Sequence, residues 1–267
     1  MGAQALGLYA VAYELSNIAT SELVAPVRRA SLPAYAKVSC DLQTLRSVFV
    51  RDFATILFFG VPIAAGIGGL ADPLVRVLLG ERWLAAVPLM QILAIYGAFQ
   101  VGPANTGPVY LALGKPQLIT VSTALSVAVT LPAVLFGAWF YGAYGAAWGA
   151  TGGSAVQFLV NLVFIKNLLQ LSLLSLASRV WRPFAASALM LLAVSQAKVL
   201  FPAQSELSLE AMSLLCLVVT GTLLYAAASL VLWAASGYSE GAERQIVTIL
   251  RHSLGRARLA GDKCNVE

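Results

Sequence analysis

Between Pro116 and Ile165 the chain runs for 50 residues without one charged side chain. A helix in water keeps a polar face, and this stretch has none to offer. The hydrocarbon core of a bilayer takes about 20 residues of helix to cross, so the run is long enough for two crossings. Tyr141-Gly142-Ala143 is the natural place for it to turn back. Further uncharged windows cover Phe53–Ala71, Trp83–Gly114, Pro183–Ala197 and Ala211–Ser239. The 267 residues are 59% apolar and only 11% charged, against about 25% charged in ordinary soluble domains. That balance excludes a soluble enzyme and a disordered chain. It predicts an all-α integral membrane protein of about seven transmembrane helices, placed near 5–36, 50–71, 84–112, 116–140, 143–167, 183–201 and 210–235.

Seven crossings put the two termini on opposite sides, and the basic residues predict which. One set of loops, with the tail, carries Lys37, Arg46, Arg51, Lys115, Lys166, Arg179, Arg182, Arg244, Arg251, Arg256, Arg258 and Lys263, 12 in all. The other side holds three: Arg76, Arg82 and Lys198. The expected topology has the N-terminus outside and the C-terminus in the cytoplasm. Residues 1–13 have no basic leader and Glu14 interrupts the apolar run, so a cleaved signal peptide is not expected. An outside N-terminus without a leader leads to the expectation that further spans precede Met1. Residues 168–182 read as an interfacial helix or linker, and the tail from Glu240 as polar and partly helical.

Cys40, Cys216 and Cys264 are far apart and His252 is the sole histidine, so neither a disulfide framework nor a metal site is expected. Nucleophile-elbow, Walker and zinc-protease motifs are absent. No enzyme chemistry, cofactor or nucleic-acid partner is expected.

Polar side chains inside a membrane are expensive and are the default functional candidates. On the first predicted helix Glu14, Asn17, Ser21 and Arg28 fall on one stripe, with Glu22 and Arg29 forming a second beside it. Such a helix should face a protein interior or a water-filled cavity. The competing readings are mutual neutralisation of Glu22 and Arg29, or snorkelling of the two arginines to the interface. Pro26 should kink this helix. The 84–112 span is broken by Pro88, Gly102, Pro103, Gly107 and Pro108, and carries Gln91, Tyr96, Gln100, Asn105 and Thr106. It either lines a cavity and bends at Pro103 and Pro108, or is a static kink packed by its neighbours. Gly145, Gly149 and Gly153 form a small-residue stripe read as close helix packing, with homodimerisation the minor alternative. Gln157 and Asn161 make either interhelical hydrogen bonds or substrate contacts. The hydroxyls of Thr120, Ser122, Thr123, Ser126 and Thr130 are expected to bond back within their own helix.

Three stretches carry a family resemblance: LGLYAVAYELSNIATSELVAPVRRASLPAYAKV (Leu6–Val38), ADPLVRVLLGERWLAAVPLMQILAIYG (Ala71–Gly97) and YLALGKPQL (Tyr110–Leu118). The LGxYxxA start, the P-x-x-R-x-x-x-P pattern of Pro26, Arg29 and Pro33, the PLVRxLLGxxW turn and the ALGKP loop resemble the C-terminal lobe of Wzx-type polysaccharide flippases. These lie in the multidrug/oligosaccharidyl-lipid/polysaccharide exporter superfamily. The likeness runs over roughly Leu6–Leu168 and more loosely beyond.

The resemblance implies a lobe of five helices over 1–168, an interfacial linker at 169–182, two additional transmembrane helices over 183–238 and a cytoplasmic tail at 239–267. It implies movement of undecaprenyl-pyrophosphate-linked oligosaccharide across a bacterial inner membrane by alternating access between two lobes. Arg29 holds the matching motif position for meeting the pyrophosphate, and Arg28 is an adjacent extra. The opening segment resembles the eighth of fourteen helices, so a missing N-terminal lobe, from the same gene or a second chain, is an expected partner beside the lipid bilayer and the lipid-linked oligosaccharide. Two other functions compete: a MATE-like drug/cation antiporter, and a non-transporting scaffold that binds a polysaccharide polymerase. The candidate cavity residues are Glu14, Asn17, Glu22, Arg28, Arg29, Gln100, Asn105, Gln157 and Asn161, with Pro26, Pro103 and Pro108 as hinge candidates.

Overall fold

The computed structural model describes residues 2–200 and 207–235; within them, the side chains at 19–28, 173, 175, 179, 199, 200 and 207 are not described. The chain is helical from end to end of these segments. Helix α1 is Ala3–Val38, α2 Leu42–Gly69 and α3 Ala71–Leu79. A 3-10 turn, Glu81–Ala86, leads into α4, Val87–Val101. A second, Pro103–Asn105, leads into α5, Thr106–Ala112. Then come α6, Gln117–Leu169, α7, Leu173–Leu200, and α8, Leu207–Ala235.

Among the described residues, four helical stretches are long and apolar enough to cross a membrane: Leu42–Gly69, Glu81–Ala112, Gln117–Leu169 and Ser208–Ala235. The 53-residue α6 counts twice in practice, because it reverses at Gly142, where φ is 62° and ψ −140°. Only glycine takes that backbone conformation without strain. The two arms then run antiparallel in close contact. A Cβ on Gly145 would overlap the Gly137 carbonyl, one on Gly149 would lie 2.6 Å from the Ala133 backbone, and one on Gly153 would meet Thr130. The small-residue stripe therefore packs one arm of the hairpin on the other. Helices α1 and α7 have spanning length but fall outside the apolar class.

Two boundaries differ from the expected ones. Helix α2 starts at Leu42, eight residues before the predicted 50, because Asp41 caps it and Arg46 and Arg51 sit on its first turns. The Asp41 carboxylate accepts from the Gln43 N–H at 3.0 Å and from the Thr44 hydroxyl, so helix geometry outruns the uncharged window. Of the segment 169–182, only a three-residue turn is non-helical. Gln170 closes α6 in the left-handed region with φ 50° and ψ 43°. Arg46 Nε donates to the Leu169 carbonyl at 2.8 Å, and α7 runs unbroken from Leu173 through Pro183. No glycine or proline interrupts 173–182, so nothing there stops the helix.

Helix α4 sits at the centre, packed by α1, α2 and α6. One apolar core joins Phe49, Phe53 and Leu57 of α2 to Tyr35, Tyr110, Ile165 and Leu176. A second joins Ala12 to Val75, Leu89, Met90, Leu93 and Ala147. The third seats α7 and α8 on α2 through Phe58, Ala186, Met190, Leu217 and Tyr225, whose hydroxyl donates to the Phe58 carbonyl at 2.6 Å. The outer surface is apolar too: Leu135, Phe136, Trp139 and Phe140 of α6 and Leu215, Leu223 and Val231 of α8 are exposed. Leaving so much apolar area open suits lipid and would be a large loss in water.

Candidate functional site

Helix α1 places one face against α4, α2 and α5 and leaves the other open. Ala12, Ser16, Ser31 and Tyr35 are buried, and the Ser16 hydroxyl donates to the Met90 carbonyl at 3.3 Å. On the opposite side Leu6, Ala10, Glu14 and Ile18 are exposed at four-residue spacing, as are Arg29, Pro33 and Lys37. Asn17 is half-buried at the edge. The carboxylate of Glu14 and the guanidinium of Arg29 thus lie on the face of α1 that the rest of the chain does not cover. The side chains of Ser21, Glu22, Pro26 and Arg28 lie outside the described residues, and α1 is helical through residue 26.

The other candidates are spent on contacts within the bundle. Gln100 Nε2 donates to the Tyr96 hydroxyl at 2.8 Å, and that hydroxyl lies 3.4 Å from the Tyr13 hydroxyl. Tyr9 stacks on Tyr13 with ring centres 6.3 Å apart. Asn105 is fully buried and its Nδ2 donates to the Tyr35 hydroxyl. Asn161 accepts at Oδ1 from both Thr106 Oγ1 and the Tyr110 hydroxyl, each at 3.1 Å, and donates from Nδ2 to the Gln157 carbonyl at 2.9 Å. Its bonds to Thr106 and Tyr110 join the 143–169 arm to the break and to α5. Gln157 is half-buried beside it.

The break in the third span falls where proline and glycine placed it. Gly102 admits the Phe158 ring where a Cβ would collide with it, Pro103 opens the 3-10 turn, and the Thr106 hydroxyl donates to the Pro103 carbonyl at 2.7 Å. Pro108 sits in the first turn of α5, where a missing N–H costs no helical bond. Asn105 ties the break to α1 while Thr106, its neighbour, ties it to the 143–169 arm. The cavity beside it, between Phe49, Phe53, Gly102, Phe158 and Leu176, is about 10 Å³, on the order of one water. No oligosaccharide fits there; among the described candidate residues, Glu14 and Arg29 are the ones left exposed, on the open face of α1.

Two groups escaped sequence reasoning. Tyr9 and Tyr13, four residues apart in the LYAVAY stretch, carry the helical signal that could have paired them with Tyr96. Asp52 is the sole acidic residue between Asp41 and Asp72, and it lies at the edge of the predicted 50–71 span, just before the uncharged window that begins at Phe53. It sits inside α2, 3.7 Å from Arg51 Nε, with its side chain 22% exposed and a hydrogen bond to Tyr35.

Comparisons with known proteins agree with the motifs. Residues 1–88 match a family model described as polysaccharide biosynthesis protein. The chain is 28% identical over 221 residues to the teichuronic acid biosynthesis protein TuaB of Bacillus subtilis, covering 78% of this chain and 44% of that one. It is 23% identical over 185 residues to the lipopolysaccharide biosynthesis protein WzxC of Escherichia coli, covering 69% and 38%. Among solved structures it resembles the lipid II flippase MurJ in an inward closed conformation, with a TM-score of 0.60 at 16% identity over 86% of this chain and 46% of that one. The chain spans less than half the length of these relatives. Among the described residues the chain is helical, its fold is that of about half of the solved MurJ chain, and its opening third matches the polysaccharide biosynthesis protein family model.

Proposed function

We propose that the chain forms one lobe of a flippase that carries undecaprenyl-pyrophosphate-linked oligosaccharide across the bacterial inner membrane during polysaccharide synthesis. The observation that carries this reading is the open face of α1, where Glu14 and Arg29 stand exposed on a bundle whose α6 and α8 present exposed apolar faces. Charge facing lipid costs about 2.5–3.5 kcal/mol per residue at mid-membrane. The same charge facing a wet cavity costs little. There a guanidinium recognises a diphosphate through paired, charge-assisted hydrogen bonds that strengthen as water is excluded.

Alternating access moves two lobes against each other around a shared site. The face of α1 is the surface this lobe would turn to a second one, supplied by the same gene or by another chain. The basic residues support a cytoplasmic C-terminus and an outside N-terminus. Helices α7 and α8 pack on α2, away from α1, which suits two additional helices outside the lobe proper. The relatives named for teichuronic acid and lipopolysaccharide biosynthesis support the substrate class.

Arg29→Ala, introduced where the chain works with its second lobe, should abolish polymer export while protein level and membrane insertion stay normal. Normal export from that variant would remove Arg29 from the site. Arg29→Lys should recover only part of the export, since an ammonium cannot reproduce the paired contact.

A further inference from the structure

We propose that Asp52 is a proton-binding site whose occupancy is relayed through Tyr35 to Asn105 at the break between α4 and α5. Three polar side chains, one each from α1, α2 and the break, meet at the Tyr35 hydroxyl. Asn105 gives it an N–H, and Ser31 and Asp52 are its other hydrogen-bonding neighbours. Tyr35, Asn105 and Ser31 are 0%, 0% and 4% exposed. The Tyr35 hydroxyl has one proton to give. With Asp52 ionised, that proton goes to the carboxylate, and the Tyr35 oxygen accepts from Asn105 Nδ2. This leaves Asn105 Oδ1 buried without a hydrogen-bond partner among the described residues, so the amide is held from the Tyr35 side alone.

One proton taken from water reverses this chain of hydrogen bonds. The protonated Asp52 carboxyl donates to the Tyr35 oxygen and no longer needs the Tyr35 proton, which goes to Asn105 once that side-chain amide turns over and presents Oδ1, in place of Nδ2, to Tyr35. No bond between heavy atoms changes; one proton is gained and the hydrogen-bond chain runs the other way. Among the described residues, the charged and titratable groups facing Asp52 are Arg51 from its own helix, at 3.7 Å, and Tyr35 from α1; Asn105, from the break, reaches the network as a neutral amide through Tyr35. Protonation frees Arg51, which is exposed, from its only ion pair among the described residues.

The location gives the proton something to act on. Asn105 is the last residue of the 3-10 turn that interrupts the third span. Tyr35 lies on the buried side of α1, the helix whose other side carries Glu14 and Arg29. A proton at Asp52 thereby biases how α1 is held to the break, which is the joint where a rocking lobe would bend. This goes beyond the flippase reading, and proton binding stands or falls without it.

The test uses the full chain in lipid nanodiscs. Infrared spectra across a pH titration should show a protonated-carboxyl band that appears on acidification and is lost in Asp52→Asn. Hydrogen exchange of the backbone amides at 102–107 should change over the same pH range by about tenfold, within the usual span of coupling between linked sites. In Tyr35→Phe the band should still titrate while the exchange at 102–107 stops following it. If Asp52→Asn does not insert folded, Asp52→Glu carries the assignment, because it replaces an aspartyl band with a glutamyl one. A titrating band that survives both substitutions unchanged overturns the site. A midpoint that follows sodium concentration at constant ionic strength assigns it to a metal cation and overturns the proton. Exchange at 102–107 that still tracks pH in Tyr35→Phe overturns the relay. Failure of Arg29→Ala to affect export leaves all three readouts untouched, so the two readings fail separately.

Discussion

Asn161 shows how a polar residue in a membrane helix can be satisfied within the protein rather than by a ligand. Its carbonyl accepts from Thr106 and Tyr110 and its amide donates to Gln157. Asn161→Leu keeps the branched shape but strands the buried Tyr110 hydroxyl, Thr106 retaining its bond to the Pro103 carbonyl, and should destabilise the chain in detergent by about 1–2 kcal/mol, read as a shift of the unfolding transition. Adding Tyr110→Phe to that variant should cost less than its effect alone, because the stranded hydroxyl is gone. Asp41 is a second residue with a readable role. Its carboxylate is held below the usual carboxylate range, chiefly by the Thr44 hydroxyl and also by the Gln43 N–H. A lowered group stabilises the fold above its unfolded value, near 3.8, and that stabilisation fades as pH falls below it. Asp41→Asn should therefore flatten the acid limb of the thermal-stability profile and leave the neutral limb nearly unchanged. From sequence, Asn161 remained divided between ligand and neighbour because side-chain partners 51 and 55 residues away leave no local trace.

At the scale of elements, what was legible is what depends on local chemistry. The turn of the α6 hairpin was placed at Gly142 from an uncharged run twice the membrane width, and the break after α4 from Gly102 and Pro103. Both occur there because glycine and proline dictate backbone geometry without help from tertiary contacts. The start of α2 was misplaced because a charge-free window measures membrane depth, whereas a helix begins where its cap is. The continuity of α7 was missed because the uncharged window opens only after Arg182, yet α7 already has ten residues before Pro183. The hairpin makes a sharp prediction. Gly142→Ala must adopt φ 62° and ψ −140°, a region closed to side chains, at a cost of about 1–3 kcal/mol. Gly66→Ala, where a Cβ meets nothing within 4 Å, should be neutral or mildly stabilising by helix propensity. Parallel denaturation of the two variants separates backbone strain from a generic glycine effect.

The whole molecule is an apolar bundle with a sided distribution of charge, and its proposed orientation follows from that sidedness. The turn between α1 and α2 lies at the end that holds Lys37, Arg46 and Arg51, and it exposes Cys40. If basic loops stay on the cytoplasmic side, Cys40 faces the cytoplasm. Cys216 is exposed as well, but on α8 among Met212, Leu215 and Val219, where acyl chains would shield it from a hydrophilic reagent. A chain carrying Cys264→Ser, which removes the remaining thiol, allows the two to be compared. A membrane-impermeant maleimide should modify Cys40 in inverted inner-membrane vesicles and leave it unmodified in intact spheroplasts, while Cys216 should stay unlabelled in both until detergent is added. Labelling of Cys40 from outside would invert the proposed topology and would place the basic turn on the translocated side. Labelling of Cys216 without detergent would mean that this face of α8 meets water, so α8 would line a passage instead of bordering lipid.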